Sequence, residues 1–402
     1  MRDKPDEAAS KDHIKDQWVL IRRARQLITL HGPSGPRCGA AMQDIGVVSD
    51  GALLIHNGAV VESGPTRRIE NLQQAKTARE IDATGKVVMP AFVDPDAVLV
   101  SAPSNGNGAR LSLSVLSRKR LEMGASAAAA AFARAGVLSV GAHTGDATDL
   151  RDATKSLLIH QGLQNRPLRI RSILSPRAGQ SAHELTEKWI PAGRKRRLAS
   201  ILELSAAEAS ELRRVATAAA GAGYSLRIKS GEPLSGEGHD LALEGGAVAI
   251  VAPPPEQADF AGKLGAIGCV YVVSASDALQ GDRNFSASTR ALIDEGCPVA
   301  LASGYAHEGY ASFNPQFLLH LGATRFGMTS EEAICATTWN AACSLRMSHV
   351  TGSLEPGKYA DLLVMDVSDY RELARRAGHN DIQIVMRAGQ VIYRRAALMG
   401  LD

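Results

Sequence analysis

The sequence predicts an α/β protein in which a (β/α)8 barrel of the TIM type is inserted into a small β-sandwich built from both chain ends. Short apolar strand patterns alternate with helical stretches through the middle of the chain, and strand patterns without intervening helices precede and follow them. The chain has 402 residues, of which 45% are hydrophobic, so it is long enough for a barrel-sized core and a smaller one.

The first part of the chain predicts a tail followed by β structure. Residues 1–16 are polar and carry both charge signs, which predicts a disordered tail and lacks the apolar core of a secretory signal. Residues 17–89 contain short apolar runs separated by turn signals. Between two of these runs stand Asn57 and Gly58, a pair typical of a two-residue hairpin. We therefore expect antiparallel strands in this region.

Residues 90–345 have a different rhythm, in which each strand pattern is followed by a helical one. This alternation implies right-handed crossovers and a parallel sheet, and so many units in succession favour a closed barrel over an open sheet. The number of strand–helix units fits an eight-stranded barrel best. The first predicted strand begins at Pro90, and the others cover 137–142, 168–174, 226–229, 247–251, 270–273 and 299–302.

Strand patterns return in residues 346–402. They follow a helix predicted over 329–345, whose start carries the N-cap sequence Thr329-Ser-Glu-Glu. Strands at both chain ends are most simply paired in one sheet domain made of 17–89 and 346–402. The barrel domain at 90–345 is then an insertion into that domain.

Composition excludes several classes of partner. The 45 basic and 42 acidic residues nearly balance, so no global field attracts nucleic acid or anionic lipid. No run of about 18 apolar residues occurs, which predicts that the chain does not span a membrane. The five cysteines have no CxxC spacing and are odd in number, which favours reduced thiols and a cytoplasmic location.

Two segments resemble a known family. Residues 352–366 read Gly-Ser-Leu-Glu-Pro-Gly-Lys-Tyr-Ala-Asp-Leu-Leu-Val-Met-Asp and look like the C-terminal signature of the amidohydrolase superfamily, most of all that of imidazolonepropionases. Residues 85–94, Gly-Lys-Val-Val-Met-Pro-Ala-Phe-Val-Asp, are similar to an opening segment of the same family. With the barrel rhythm, the resemblance covers nearly the whole chain from residue 17. It implies the composite fold and suggests a homodimer.

The resemblance also implies a metal site, but this chain departs from the family at each ligand position. Members typically hold one or two divalent ions with a His-x-His pair after the first barrel strand, histidines after the fifth and often the sixth, and an aspartate after the eighth. Here these positions fall on Asp96 and Val98, Lys229, the neighbourhood of Ala252, and Gly304 or Ser303. A lysine ammonium repels a dication, and zinc needs three or four converging donors. We therefore predict no metal and no other cofactor.

The residues that follow the barrel strands should meet at the carboxyl mouth, where function sits in such barrels. We predict that the Lys229 ammonium takes the place of the missing ion and pairs with Asp96, because a carboxylate without a cation in a low-dielectric centre costs several kcal/mol. Two alternatives stay open for this pair: Asp96 caps the next helix, and Lys229 reaches sideways to solvent. His143 is a third catalytic candidate, with a satisfied loop histidine as its alternative.

Four further residues are candidates for ligand contact at the mouth: Arg177, Ser303, Tyr305 and His307. Each follows a predicted strand end, and His307 lies in a loop bounded by glycines with tyrosines beside it. The alternative for His307 is an ordinary surface loop.

The absence of the family's metal ligands leads to the functional prediction. We predict an amidohydrolase-like pseudoenzyme, a non-catalytic protein that binds a small molecule at the barrel mouth or a protein partner. Two enzymatic alternatives stay open. One is a metal-dependent hydrolase that acts on the C–N bond of a cyclic amide, and the other is a metal-free enzyme that uses Lys229 as a nucleophile or base.

Overall fold

A computed structural model of the chain describes residues 17–102, 112–145, 147–206, 209–234, 236–279, 285–306 and 314–396. The predicted tail at 1–16 lies outside the described residues, as does His307. The strands are β1 Trp18–Ile28, β2 Val47–His56, β3 Ala59–Pro65, β4 Arg79–Asp82, β5 Val87–Pro90, β6 Phe92–Ala97, β7 Val137–His143, β8 Arg169–Leu174, β9 Ile201–Ser205, β10 Ser225–Lys229, β11 Ala249–Val251, β12 Val270–Ser274, β13 Val299–Ala302, β14 Leu362–Met365, β15 Ile382–Arg387 and β16 Gln390–Arg394.

The helices lie mostly between the barrel strands, as the alternating pattern predicts. They are α1 Thr66–Ile69, α2 Arg118–Arg134, α3 Leu150–Leu163, α4 Ala182–Glu184, α5 Ile190–Arg194, α6 Ala209–Gly221, α7 Gly236–Glu244, α8 Ala261–Ala266, α9 Ala275–Leu279, α10 Ser286–Asp294, α11 Pro315–Thr324, α12 Ser330–Thr337, α13 Trp339–Ser344 and α14 Arg371–Arg375. In the described part of the chain, no helix is both long and apolar enough to cross a membrane.

Strands β6 to β13 form a parallel sheet in which sequential strands are neighbours. The sheet closes on itself through a parallel bridge between Ala97 and Tyr305. At this seam the Val98 amide donates a hydrogen bond of 3.0 Å to the Tyr305 carbonyl. The predicted eight-stranded parallel barrel is therefore confirmed, and with it the fold class.

Two details of the barrel region differ from the sequence prediction. Strand β9 was not predicted, because Ile201–Ser205 is short and Glu203 interrupts its apolar run. The helix predicted over 329–345 is two helices, α12 and α13, which meet at Thr338 with a non-helical backbone (φ −130°, ψ −83°). The predicted N-terminal cap is present, since Thr329 and Glu332 form a reciprocal capping box.

The remaining strands form one sheet that combines both chain ends, in the order β16-β15-β14-β5-β1-β2-β3 with β4 also paired to β1. Strand β14 runs antiparallel to β5 and joins the two ends of the chain. The predicted hairpin is present, with Asn57 (φ 48°) and Gly58 (φ 81°) in the left-handed region that such turns require. The sheet is mixed rather than purely antiparallel, because β1 runs parallel to β4 and β5.

The apolar core follows from this arrangement. One large cluster fills the barrel wall and the surrounding helices. The end sheet has a separate cluster on each face: Val19 and Ile21 point to one, and Leu20 between them points to the other. This alternation is the two-residue period of a strand that is covered on both sides.

Candidate functional site

A cluster of charged side chains lies inside the barrel near the carboxyl ends of its strands. We call it the barrel cluster and define it by Asp96, His143, Glu203, Arg227 and Lys229. Lys229 Nζ lies 3.4 Å from Asp96 Oδ2, so the predicted pair is confirmed as a contact. Asp96 sits on β6 and Lys229 ends β10, and the barrel brings them together although they are 133 positions apart.

Arg227 is the central cation of the barrel cluster, and the sequence argument missed it. Its guanidinium donates to Asp96 Oδ1 and lies 2.6 Å, through Nε, from Glu203 Oε2. Its Nη1 donates a hydrogen bond of 2.6 Å to the Pro95 carbonyl. Burial alone would lower the pKa of this guanidinium, but the two carboxylates more than offset burial and raise that pKa above its ordinary value. Arg227 therefore stays charged and ties β6 to β9.

A sequence signal for Arg227 existed. Arg227 and Lys229 are two positions apart on one strand, so both side chains point to the same side of the barrel wall. If Lys229 is assigned to the barrel interior, Arg227 must also lie there. Glu203 had no such signal, because its strand was not recognised.

Glu203 completes the charge balance in the barrel interior. It is 4% exposed, and its Oε1 accepts a hydrogen bond of 2.9 Å from the Ser175 hydroxyl. Two carboxylates, Asp96 and Glu203, thus face two cations, Arg227 and Lys229. Buried charges of this kind persist when each is paired and hydrogen-bonded.

His143 ends strand β7 beside Asp96. Its Nδ1 accepts a hydrogen bond of 3.1 Å from the Gly145 amide, so a neutral ring carries its proton on Nε2. Nε2 lies 3.6 Å from Asp96 Oδ1. The ring is 2% exposed, and in this arrangement its neutral Nε2–H group lies beside the Asp96 carboxylate. The geometry places His143 beside the Asp96 carboxylate, and its catalytic role stays a prediction.

Asp94 and Ser303 fasten the seam between the first and last barrel strands. Asp94 Oδ1 accepts hydrogen bonds from the amides of Asp96 (3.1 Å) and Ser303 (3.2 Å), and its Oδ2 accepts the Ser303 hydroxyl. Burial raises the pKa of the Asp94 carboxyl to about 6, although these hydrogen bonds oppose the rise. Ser303 Oγ in turn accepts a hydrogen bond of 3.0 Å from the Tyr305 amide.

Substitution of Asp94 by asparagine is expected to remove a dependence of stability on pH. A carboxyl whose pKa is about 6 when folded and 3.8 ordinarily binds more protons in the folded state, so it destabilises the protein as pH rises from 4 to 6. That difference amounts to about 3 kcal/mol above pH 6. Asparagine keeps an oxygen for the two amides and carries no charge. We expect Asp94→Asn to match the original at pH 4 and to exceed it by about 3 kcal/mol in unfolding free energy at pH 7.5.

Urea unfolding across pH 4–8 measures this effect. Asp240→Asn, at an exposed carboxylate, is the matched control and should leave the difference near zero at every pH. If the free energies of unfolding of Asp94→Asn and of the original protein change with pH in the same way, ionisation of Asp94 does not destabilise the seam.

The other predicted contact residues are placed less centrally. Tyr305 is half-buried at the seam, and its ring packs edge-on against Phe132 with centroids 5.2 Å apart. Arg177 follows β8 and is exposed to solvent. His307 lies beyond the described residues. The structure therefore brings Asp96, His143 and Lys229 together, while the contact roles of the other candidates stay predictions.

The described side chains at the family's ligand positions do not fit a divalent ion. The Asp96 carboxylate is already surrounded by a guanidinium, an ammonium and an imidazole N–H. Val98 offers only hydrocarbon, and the Ser303 hydroxyl donates to Asp94. Within the described ranges, no group of three or more His, Cys, Asp or Glu side chains could hold a metal ion. We therefore derive no chemical step through a metal.

Comparison with known proteins supports the family resemblance. The model of the amidohydrolase family matches residues 277–392. The chain is 28% identical to an imidazolonepropionase from Geobacillus kaustophilus (strain HTA426), over 93% of this chain and 97% of that protein. It is 29% identical to an imidazolonepropionase from Solibacter usitatus (strain Ellin6076), over 94% and 99%. The predicted resemblance to the amidohydrolase superfamily is thus confirmed.

Solved structures support the same fold at lower identity. The 5-methylcytosine deaminase from Klebsiella pneumoniae superimposes with a TM-score of 0.71 at 17% identity, covering 95% of this chain and all of that chain (100%). The ochratoxinase from A. niger gives a TM-score of 0.70 at 15% identity, covering 95% and 96%. At these identities the likeness concerns the fold alone.

The prediction of a non-catalytic protein is wrong. Relatives that match 93% of the chain are named as imidazolonepropionases, and these matches favour the hydrolase that the sequence left as an alternative. The error has a physical origin. Missing histidine ligands show which groups a site lacks, whereas the charged groups that stand in their place can also stabilise a reacting molecule.

Proposed function

We propose, from a resemblance to the amidohydrolase superfamily that extends over fold and sequence, that this chain is a hydrolase that opens a small cyclic amide at its C–N bond. The observation that carries the proposal is the similarity over 93% of the chain to proteins named imidazolonepropionase. The name of those relatives points to an imidazolonepropionate ring as the first substrate to test. Within the proposal, the barrel cluster supplies Lys229 to the same reaction.

Lys229 is the member of the barrel cluster that an incoming molecule can reach. Its side chain is 29% exposed, whereas the side chains of Asp96, His143, Glu203 and Arg227 are 1–5% exposed. Its ammonium is anchored on one side by Asp96. It can therefore donate a hydrogen bond to the carbonyl oxygen of a ring held in the mouth, where negative charge develops when water attacks.

The reaction balances with water alone. The oxygen of water bonds to the carbonyl carbon, the ring C–N bond breaks, and the ring nitrogen takes a proton from that water. The product is a ring-opened molecule with one new carboxylic acid, which ionises to a carboxylate and releases the second proton of that water to solvent. In this scheme Lys229 stabilises the oxyanion and Asp96 holds the ammonium in place. Arg227, itself paired with Glu203, holds Asp96, and none of these three side chains touches the substrate.

A panel of cyclic amides tests the proposal. Purified protein is incubated with imidazolonepropionate and with plain five- and six-membered cyclic amides, and ring opening is followed by mass spectrometry as the gain of one water. We expect turnover of at least one compound, and we expect it to survive dialysis against a chelator. Activity that appears only with added zinc would keep the hydrolase but remove Lys229 from its role. No ring opening in any arm would contradict the proposal.

The proposal also includes a small-molecule ligand at the barrel mouth, a homodimer and a cytoplasmic location. The family resemblance supports the homodimer, and the five unpaired cysteines agree with a reducing compartment. Sedimentation at micromolar concentration tests the assembly, since a monomer alone would count against it.

A further inference from the structure

A second cavity lies at the opposite end of the barrel from the barrel cluster. It has a volume of about 480 Å³. It is lined by Gly246–Val248 and by Gly268, which come just before strands β11 and β12 in the sequence. The cavity therefore lies at the amino ends of the strands. Arg346, which follows α13, forms another wall. Nothing in the proposed hydrolysis uses this cavity.

Two arginines, Arg346 and Arg171, give this cavity its positive charge. Arg346 and His349 line it, and both are exposed. Arg171 of β8 lies beside them, with Nη2 donating to the Arg346 carbonyl (3.4 Å) and Nη1 to the Ser200 hydroxyl (3.3 Å). Among the described residues that line the cavity, none carries a carboxylate.

The two arginines disfavour each other's charge, and they also disfavour a charge on His349. Burial lowers the pKa of Arg171, and the neighbouring Arg346 lowers it further. Burial lowers the pKa of His349 as well, with Arg171, Lys358 and Arg346 adding to the effect. Lys358, which contributes to the lowered pKa of His349, is itself paired with the carboxylate of Glu355. A bound anion would relieve this repulsion.

The backbone at Arg346 makes glycine a suitable replacement for a test of the site. Arg346 has φ 55°, in the left-handed region where glycine is favoured at the end of a helix. An arginine there costs about 1 kcal/mol relative to glycine. Glycine at this position would therefore suit the backbone at least as well as arginine.

We propose that this cavity binds a phosphate group, either free or carried by a small metabolite. Arginine side chains pair with phosphate oxygens through two parallel hydrogen bonds, and Arg346 and His349 supply donors at the cavity wall, with the Arg171 charge beside them. The apolar walls at Pro36, Val248 and Ile267 offer a surface for the rest of an organic phosphate. The volume lies within the usual range for small-molecule sites.

Calorimetric titration of the full chain tests the site. Glycerol 3-phosphate and inorganic phosphate are titrated separately at constant ionic strength, with potassium chloride as the reference. We expect saturable binding of at least one of them. Tighter binding of the ester identifies an organic phosphate as the ligand, and equal or tighter binding of inorganic phosphate identifies the free ion.

Two arginine variants make the test specific. Arg346→Gly removes the charge while suiting the left-handed backbone, so we expect it to fold normally and to weaken binding about tenfold or more. Arg23→Gly is the matched control, because Arg23 is also an exposed arginine with a left-handed backbone (φ 57°) but lies in the end sheet. No saturable binding beyond chloride, or equal weakening in both variants, would overturn the proposal.

Discussion

Replacement of Arg227 by methionine is expected to lower the free energy of unfolding by about 3–5 kcal/mol, because it leaves two buried carboxylates without their central cation. Asp96 and Glu203 both contact the Arg227 guanidinium, and its side chain is 1% exposed. Methionine has nearly the right length but offers neither charge nor donors. Since uncompensated carboxylates can take up protons, we expect the loss to be smaller at pH 5 than at pH 8.

Urea unfolding followed by circular dichroism measures this loss. Arg213→Met is the matched control, since Arg213 pairs with Glu244 at 2.7 Å on the surface, where both side chains are about half exposed. We expect that control to cost less than about 1 kcal/mol. Adding Glu203→Gln to Arg227→Met should recover part of the stability. A loss below 1 kcal/mol for Arg227→Met, or no recovery in the double variant, would show that the pairing contributes little.

Lys229→Met should reduce kcat for ring opening by a factor of about 10²–10³, the usual effect of removing one donor to a developing oxyanion. The fold should persist, because Asp96 keeps its contact with Arg227 and the Lys229 side chain is partly exposed. We expect a smaller change in KM, since the hydrogen bond to the carbonyl oxygen strengthens in the transition state rather than on binding.

Steady-state kinetics on whichever cyclic amide is turned over provide the measurement. Lys188→Met is the control, because Lys188 is a well-exposed lysine held only by a weak pair with Glu184 at 3.9 Å. Its kcat should match that of the original protein. If Lys229→Met raises KM and leaves kcat unchanged, Lys229 binds the substrate and does not stabilise the transition state.

The features that could be predicted from the sequence are those with a local period. Alternating strands and helices identified the barrel, and Asn57-Gly58 identified the hairpin between β2 and β3. The pairing of Lys229 with Asp96 could also be predicted, because the family resemblance places both at ligand positions of the same barrel mouth and they have opposite charges. The barrel and hairpin inferences need only local sequence patterns, and the pairing needs in addition the rule that the carboxyl ends of barrel strands meet at one mouth.

The rest depends on contacts between distant segments. Glu203 could not be assigned, because a charged residue inside a short apolar run is stable in a barrel only when a partner such as Arg227 is already present. The break at Thr338 is likewise invisible in helix propensity. The parallel pairing of β1 with β4 and β5 requires knowledge of which strands are neighbours in space. The prediction of a non-catalytic protein was wrong for a similar reason. The missing metal ligands can be recognised in single segments of the sequence, whereas the charged groups that replace them come together only in the folded barrel.

The composite end sheet has a consequence for how the chain is made. Strand β5 pairs with β14, residue by residue from Val87 opposite Met365 to Pro90 opposite Leu362. During synthesis the ribosome must complete the whole barrel before β14 appears. Until then one edge of the nascent sheet has unpaired backbone groups, and such an edge can pair with another chain. The newly made protein is therefore most prone to aggregation just before its last strands emerge.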